Sequence, residues 1–203
     1  MTTERVTLLS GRDGLKLSLI LTAPEAPLGF VQIVHGMSEH KERYLPLMEF
    51  LALQGYACAA YDHRGHGESV GGQEDLGYIG ANGMDALVED LKQVFDHCRA
   101  RLPDAPAFML GHSMGTLVAR AYLKRYPNLS GLILSGSPSY QAAVAPAGLL
   151  IKSIGRLRGE RYRSPLINKL FFGSFNHKIK NPASQFSWLN TDTASVDAYD
   201  RDP

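Results

Sequence analysis

Five residues constrain this chain more than any others: Gly111-His112-Ser113-Met114-Gly115, set directly after the apolar run Ala107-Phe108-Met109-Leu110 and just before a helix-patterned stretch. The run predicts a buried strand. A glycine at each end of the pentapeptide lets the backbone bend sharply and lift one serine out of the strand-to-helix turn. A serine presented in this way is a candidate nucleophile for acyl transfer; the alternative is a structural turn serine.

The surrounding pattern supplies what such a turn needs. Residues 4–9 and 15–22 read as two strands around the turn Ser10–Gly14, and 30–34 and 56–61 as buried strands. Between the latter two lies a helix from about Tyr44, with Pro46 in its first turn and Gly55 as its stop. From Gly83 to Arg101 the residues Met84, Leu87, Val88, Leu91, Val94, Phe95, Cys98 and Leu102 recur at helical spacing and form one apolar face. A helix over 115–126, stopped by Pro127, and a strand over 131–135 complete an alternation that predicts an α/β sheet. From Pro138 the alternation fails, and 140–180 reads as short helices joined by basic turns.

Chemistry concentrates at the ends of the strands. A serine hydroxyl attacks only when a base takes its proton, and the resulting oxyanion needs preorganised N–H donors. The Met114 N–H, next after Ser113, is one such donor. The second is assigned to the Met37 N–H, in the loop His35-Gly36-Met37 after the third strand. His35, His40, His63 and His66 raise a metal site as an alternative, with His63-x-x-His66 at a ligand spacing. The glycines of that loop and the lack of a nearby cysteine favour hydrogen-bonded loop histidines instead, with Asp62 and Glu68 as loop-fixing carboxylates.

Composition narrows the class. The chain has 203 residues, 44% hydrophobic and 20% charged, a globular balance able to bury a core. A net charge of +1 argues against general nucleic-acid binding. The charge is uneven: Lys152, Arg156, Arg158, Arg161, Arg163, Lys169, Lys178 and Lys180 face only Glu160 between residues 152 and 180. That segment follows the apolar run 145–154, a pairing that suits attraction to an anionic lipid surface, against the alternative of a solvated face. Cys58 and Cys98 read as buried free thiols of a reducing compartment. The N-terminus has no apolar signal region and no stretch is long enough to span a bilayer. The expectation is a cytoplasmic protein, peripheral to membrane where the basic segment touches it.

Taken together, His35-Gly-Met-Ser-Glu-His-Lys-Glu-Arg-Tyr44, Asp62-His-Arg-Gly-His-Gly-Glu-Ser69, Gly111-His-Ser-Met-Gly115 and Leu134-Ser-Gly-Ser137 resemble, in order and spacing, the monoacylglycerol lipase and lysophospholipase branch of the α/β-hydrolases. Phe172–Asn176 and Phe186–Asn190 resemble that branch's cap. The resemblance implies a mostly parallel sheet with helices on both faces, residues 1–137 forming the N-terminal part of the core and 138–203 an incomplete cap. It implies Ser113 as nucleophile, Met37 and Met114 as oxyanion-hole donors, no metal or organic cofactor, and a small-molecule lipid ester as substrate. In this family the acid and histidine partners of the serine follow two further strands. Neither has a matching position before Pro203, and His177 lies among cations that disfavour an imidazolium. The resemblance thus implies a fragment of a longer hydrolase, with the last strands missing and the sixth strand's outer edge unpaired. Two rivals stand beside ester hydrolysis: amide hydrolysis of the serine aminopeptidase kind, and a lipid-binding module without catalysis.

Overall fold

A computed structural model describes residues 1–80, 83–139 and 144–202. The chain forms two compact units, Met1–Gln141 and Ala142–Pro203. The first is built on a six-stranded sheet: β1 (Thr2–Leu9), β2 (Lys16–Ala23), β3 (Gly29–Val34), β4 (Tyr56–Tyr61), β5 (Ala107–His112) and β6 (Gly131–Ser135), in the spatial order β1-β2-β4-β3-β5-β6. β2 runs antiparallel to both β1 and β4, while β3, β4, β5 and β6 are mutually parallel. The α/β architecture predicted from the alternation is the one observed.

Helices cover both faces because crossovers between parallel strands must pass over the sheet. On one face α2 (Gly83–Arg99) and α3 (Met114–Arg125) lay Leu87, Leu91, Val94, Phe95, Val118 and Tyr122 against Leu19, Phe30, Ala59 and Met109. Phe95 is sandwiched between Phe30 and Tyr122, with ring centroids 5.7 and 5.6 Å away. On the other face α1 (Leu45–Leu53) contributes Met48 to a cluster with Ile20, Val31, Ile33 and Cys58. Gly55 ends α1 at φ 91°, a conformation its missing Cβ permits.

Two expectations for α2 need correction. Met84, assigned to the apolar face, is 39% exposed in the first turn of the helix. The helix ends at Arg99, so Leu102 packs on the core from the connection that follows. Cys58 and Cys98 are buried free thiols, and burial pushes each up to about 12. β6 bonds only β5 among the described residues, and Ile133 and Leu134 on it are exposed.

The second unit contains α4 (Val144–Arg158), α5 (Pro165–Phe172), a 3-10 turn at Phe175–Lys178 and α6 (Thr193–Asp200). α4 has 15 residues, longer than the short helices predicted there. Its core is small and aromatic: Trp188 lies 4.5 Å from Phe175, and Phe186 lies 4.9 Å from Tyr199. Among the described residues no helix is long and apolar enough to cross a membrane.

Candidate active site

Strand β5 ends, α3 begins, and Ser113 is the single residue between them, at φ 49° and ψ −118°. An L-residue in this region carries strain on the order of 1–3 kcal/mol, which the surroundings must impose. They do so from two sides. The Ser113 N–H donates to the Ser135 carbonyl at the end of β6 (2.9 Å), and the Ser113 carbonyl accepts from the Thr116 N–H (3.0 Å) and hydroxyl (2.7 Å).

The flanking glycines are required by contact. A Cβ on Gly115 would lie 2.0 Å from the Val34 carbonyl oxygen, and one on Gly111 would lie 2.8 Å from the Gly115 carbonyl oxygen. The elbow therefore closes only if the end of β3, the end of β5 and the start of α3 touch backbone to backbone. Met114 opens α3, so its N–H is among those a helix leaves without an intrahelical acceptor, at the positive end of the helix dipole.

The loop after β3 lies against this turn. A Cβ on Gly36 would be 3.1 Å from the Ser113 Cβ, so His35-Gly36-Met37 and the serine are neighbours. Met37 itself is 44% exposed. Glu39 braces the loop: its carboxylate accepts from the Gly36 N–H and from the Tyr44 hydroxyl (2.9 Å), and it pairs with Arg43 (3.5 Å).

The loop after β4 supports the loop after β3. Asp62 is wholly buried and accepts from the Lys41 N–H, the Lys41 ammonium and the Glu68 N–H, each at 2.8 Å. Lys41 also reaches Glu68 at 2.7 Å. Burial alone would lower the Lys41 ammonium's pKa, but hydrogen bonds to Asp62 and Glu68 outweigh it and the net shift is upward. Arg64 bonds Asp90 of α2 (2.7 Å) and Asp13 of the β1–β2 turn (2.9 Å).

The histidines are loop-builders. The His63 N–H donates to His35 Nε2 (2.9 Å), His63 Nδ1 meets the Tyr61 hydroxyl (2.9 Å), and His63 Nε2 meets the His35 carbonyl (3.1 Å). With His35 Nδ1 lying 2.7 Å from the Gly36 carbonyl oxygen, both ring nitrogens of His35 and of His63 are engaged. Desolvation, then repulsion from His66, lowers His63 to about 3, and His35 and His66 are lowered for the same leading reason. Among the described residues no group of three or more His, Cys, Asp or Glu side chains is placed to hold a metal.

A family model described as serine aminopeptidase, S33, matches residues 25–203. The chain belongs to that family. It is an α/β-hydrolase, and a carboxyl esterase from Bacillus coagulans superposes on 100% of it at a TM-score of 0.88, with 28% identity and 66% of the esterase covered. A monoacylglycerol lipase of Mycolicibacterium smegmatis is 33% identical over 153 residues, 73% of this chain and 52% of that protein. A probable lysophospholipase L2 of Haemophilus influenzae is 29% identical over 146 residues, 71% of this chain and 44% of that protein. The chain spans about half the length of the curated relatives it matches.

Of the residues singled out in this S33 family member, the structure brings Ser113, Met114 and the Gly36-Met37 loop together. His177 is exposed on the 3-10 turn of the second unit. The sequence assigns no separate role to Glu39 or Lys41, which stand only within the resembling stretch, and takes Tyr44 only as the start of a helix. The available signal was the spacing Gly36-x-x-Glu39, which lets a carboxylate turn back onto a backbone N–H. Asp90 was hidden inside an otherwise apolar helix face.

Proposed function

We propose that Ser113 is the nucleophile of a carboxylic-ester hydrolase acting on monoacylglycerols or lysophospholipids. The observation that carries this reading is the Ser113 backbone at φ 49°, strained and pinned at both its N–H and its carbonyl beside a second loop. A turn serine has no need of that strain. In the proposed reaction Ser113 Oγ adds to the ester carbonyl carbon while a base takes its proton. The oxyanion accepts from the Met37 and Met114 N–H groups, and the positive end of α3 favours it further. The bond to the glycerol oxygen then breaks and the departing alcohol takes the proton. Water adds to the acyl-serine, freeing the fatty acid and restoring the hydroxyl.

The lipid-ester substrate class is supported by the relatives, a monoacylglycerol lipase and a probable lysophospholipase. The family description names an aminopeptidase, and an elbow of this shape serves esters and amides alike. Turnover of a monoacylglycerol against an aminoacyl anilide by the native protein separates the two. Ester turnover that disappears in Ser113→Ala is expected; turnover of the amide alone would make the protein a peptidase.

In the same reading the second unit meets the lipid surface that holds the substrate. α4 and α5 carry exposed apolar side chains, Leu149, Leu157, Leu166 and Leu170, with Leu157 83% exposed. Lys152, Arg156, Arg158 and Lys169 lie on the same helices. Apolar and cationic groups mixed on exposed helices fit an interface with anionic headgroups.

A further inference from the structure

We propose that His35 is a positioning residue which, by holding the Gly36 carbonyl through its Nδ1–H, aims the Met37 N–H at the oxyanion. The inference rests on the assignment of Ser113 as nucleophile and deepens it.

The problem that His35 solves is set by Gly36. Its contact with Ser113 and Glu39 is close: a Cβ there would lie 2.7 Å from Glu39 Oε1 and 3.1 Å from the Ser113 Cβ, so a side chain would displace the Glu39 carboxylate and crowd the serine. Glycine fits this approach, yet it is the residue with the widest backbone freedom. A donor following it is well aimed only if something else fixes the peptide planes on either side.

The hydrogen bonds do this. On the near side the Glu39 carboxylate takes the Gly36 N–H and is itself held by the Tyr44 hydroxyl. On the far side His35 Nδ1 lies 2.7 Å from the Gly36 carbonyl oxygen. The proton on that nitrogen is fixed by the network. A backbone amide can only donate, so the His63 N–H on Nε2 (2.9 Å) requires a lone pair there, and the neutral ring carries its hydrogen on Nδ1.

The chain contains no cis peptide among the described residues, so the Gly36–Met37 unit is trans. In a trans peptide the C=O and the next N–H point in opposite directions. Fixing the carbonyl toward His35 fixes the Met37 N–H away from it. The His63 ring completes the arrangement by bonding the His35 carbonyl (3.1 Å). His35 is 1% exposed, and burial together with repulsion from His63 and His66 keeps its ring neutral.

Two substitutions separate the two nitrogens. His35→Asn offers an amide donor near the δ position; His35→Gln offers an acceptor near the ε position and no donor at δ. With a short soluble ester, His35→Asn is expected to keep kcat within about threefold, while His35→Gln loses about ten- to a hundredfold in kcat with KM nearly unchanged. Equal losses, or the reverse order, would overturn the proposal.

Nitrogen-15 spectra of the protein give a readout independent of turnover. They should show the Nδ1–H tautomer at His35 and a Met37 amide resonance that moves in His35→Gln but stays in place in His35→Asn. An Nε2–H tautomer in the unsubstituted protein would overturn the proposal even if His35→Gln failed to fold. Absence of turnover in the unsubstituted protein would instead sink the nucleophile assignment, with the tautomer still deciding the geometry of the loop.

Discussion

At Ser113 the backbone occupies a region ordinarily left to glycine, and the structure holds it there through Ser135, Thr116 and the close packing of Gly111 and Gly115. Strain maintained in this way has a measurable consequence. Ser113→Gly relieves it and Ser113→Ala does not, so the glycine variant should be the more stable by about 1 kcal/mol in urea unfolding. Equal stability would show that no strain is stored. The buried histidines make a second prediction. His63 falls from 6.5 to about 3 on folding, and His35 and His66 are also lowered, chiefly by burial. A depressed folded value contributes stability that is complete above pH 6.5 and is lost as the pH falls toward the folded value. Each fully depressed histidine costs about 1.4 kcal/mol per pH unit in that window. The melting temperature should therefore drop between pH 7.5 and 5.5, and the drop should shrink in His63→Gln; a pH-independent melting point would contradict the cluster's burial.

Among the elements, α2 shows most clearly how far sequence periodicity reaches. Leu87, Val88, Leu91, Val94, Phe95 and Cys98 were legible at helical spacing because a buried face must be continuous along the helix. Asp90 was not, because its partner Arg64 is far away in sequence and comes close only once β4 is seated in the sheet. The same holds for Lys41 beside Asp62: a lysine among polar residues gives no sign that it will be 1% exposed. Glycines, by contrast, were informative in proportion to how closely backbones approach, as Gly111 and Gly115 show. The Arg64–Asp90 pair also ties the loop after β4 to α2, and removing Asp90 leaves the buried Arg64 with the half-exposed Asp13 as its remaining carboxylate. Asp90→Ala should cost about 3 kcal/mol in denaturant unfolding, far more than Asp85→Ala at the exposed start of the same helix. Similar costs for the two would mean that Asp13 compensates Arg64 by itself.

For the whole molecule, one unit carries the sheet and the elbow, and the other carries exposed apolar and cationic helices. The sheet unit was the more legible because strand and helix periods differ sharply; in the second unit the local pattern gave helices but understated the length of α4. If α4 and α5 meet anionic lipid, the protein should sediment with phosphatidylserine vesicles and much less with phosphatidylcholine. Salt should weaken that binding, and Leu157→Glu should reduce it. Binding indifferent to headgroup charge and salt would remove the electrostatic part of the account. The central claim concerns Ser113, and covalent labelling tests it most directly. The native protein treated with a fluorophosphonate and digested for mass spectrometry should carry the phosphonyl group on Ser113, with Ser113→Ala unlabelled. A folded protein that takes no label, or takes it on another residue, would contradict the assignment of Ser113 as nucleophile.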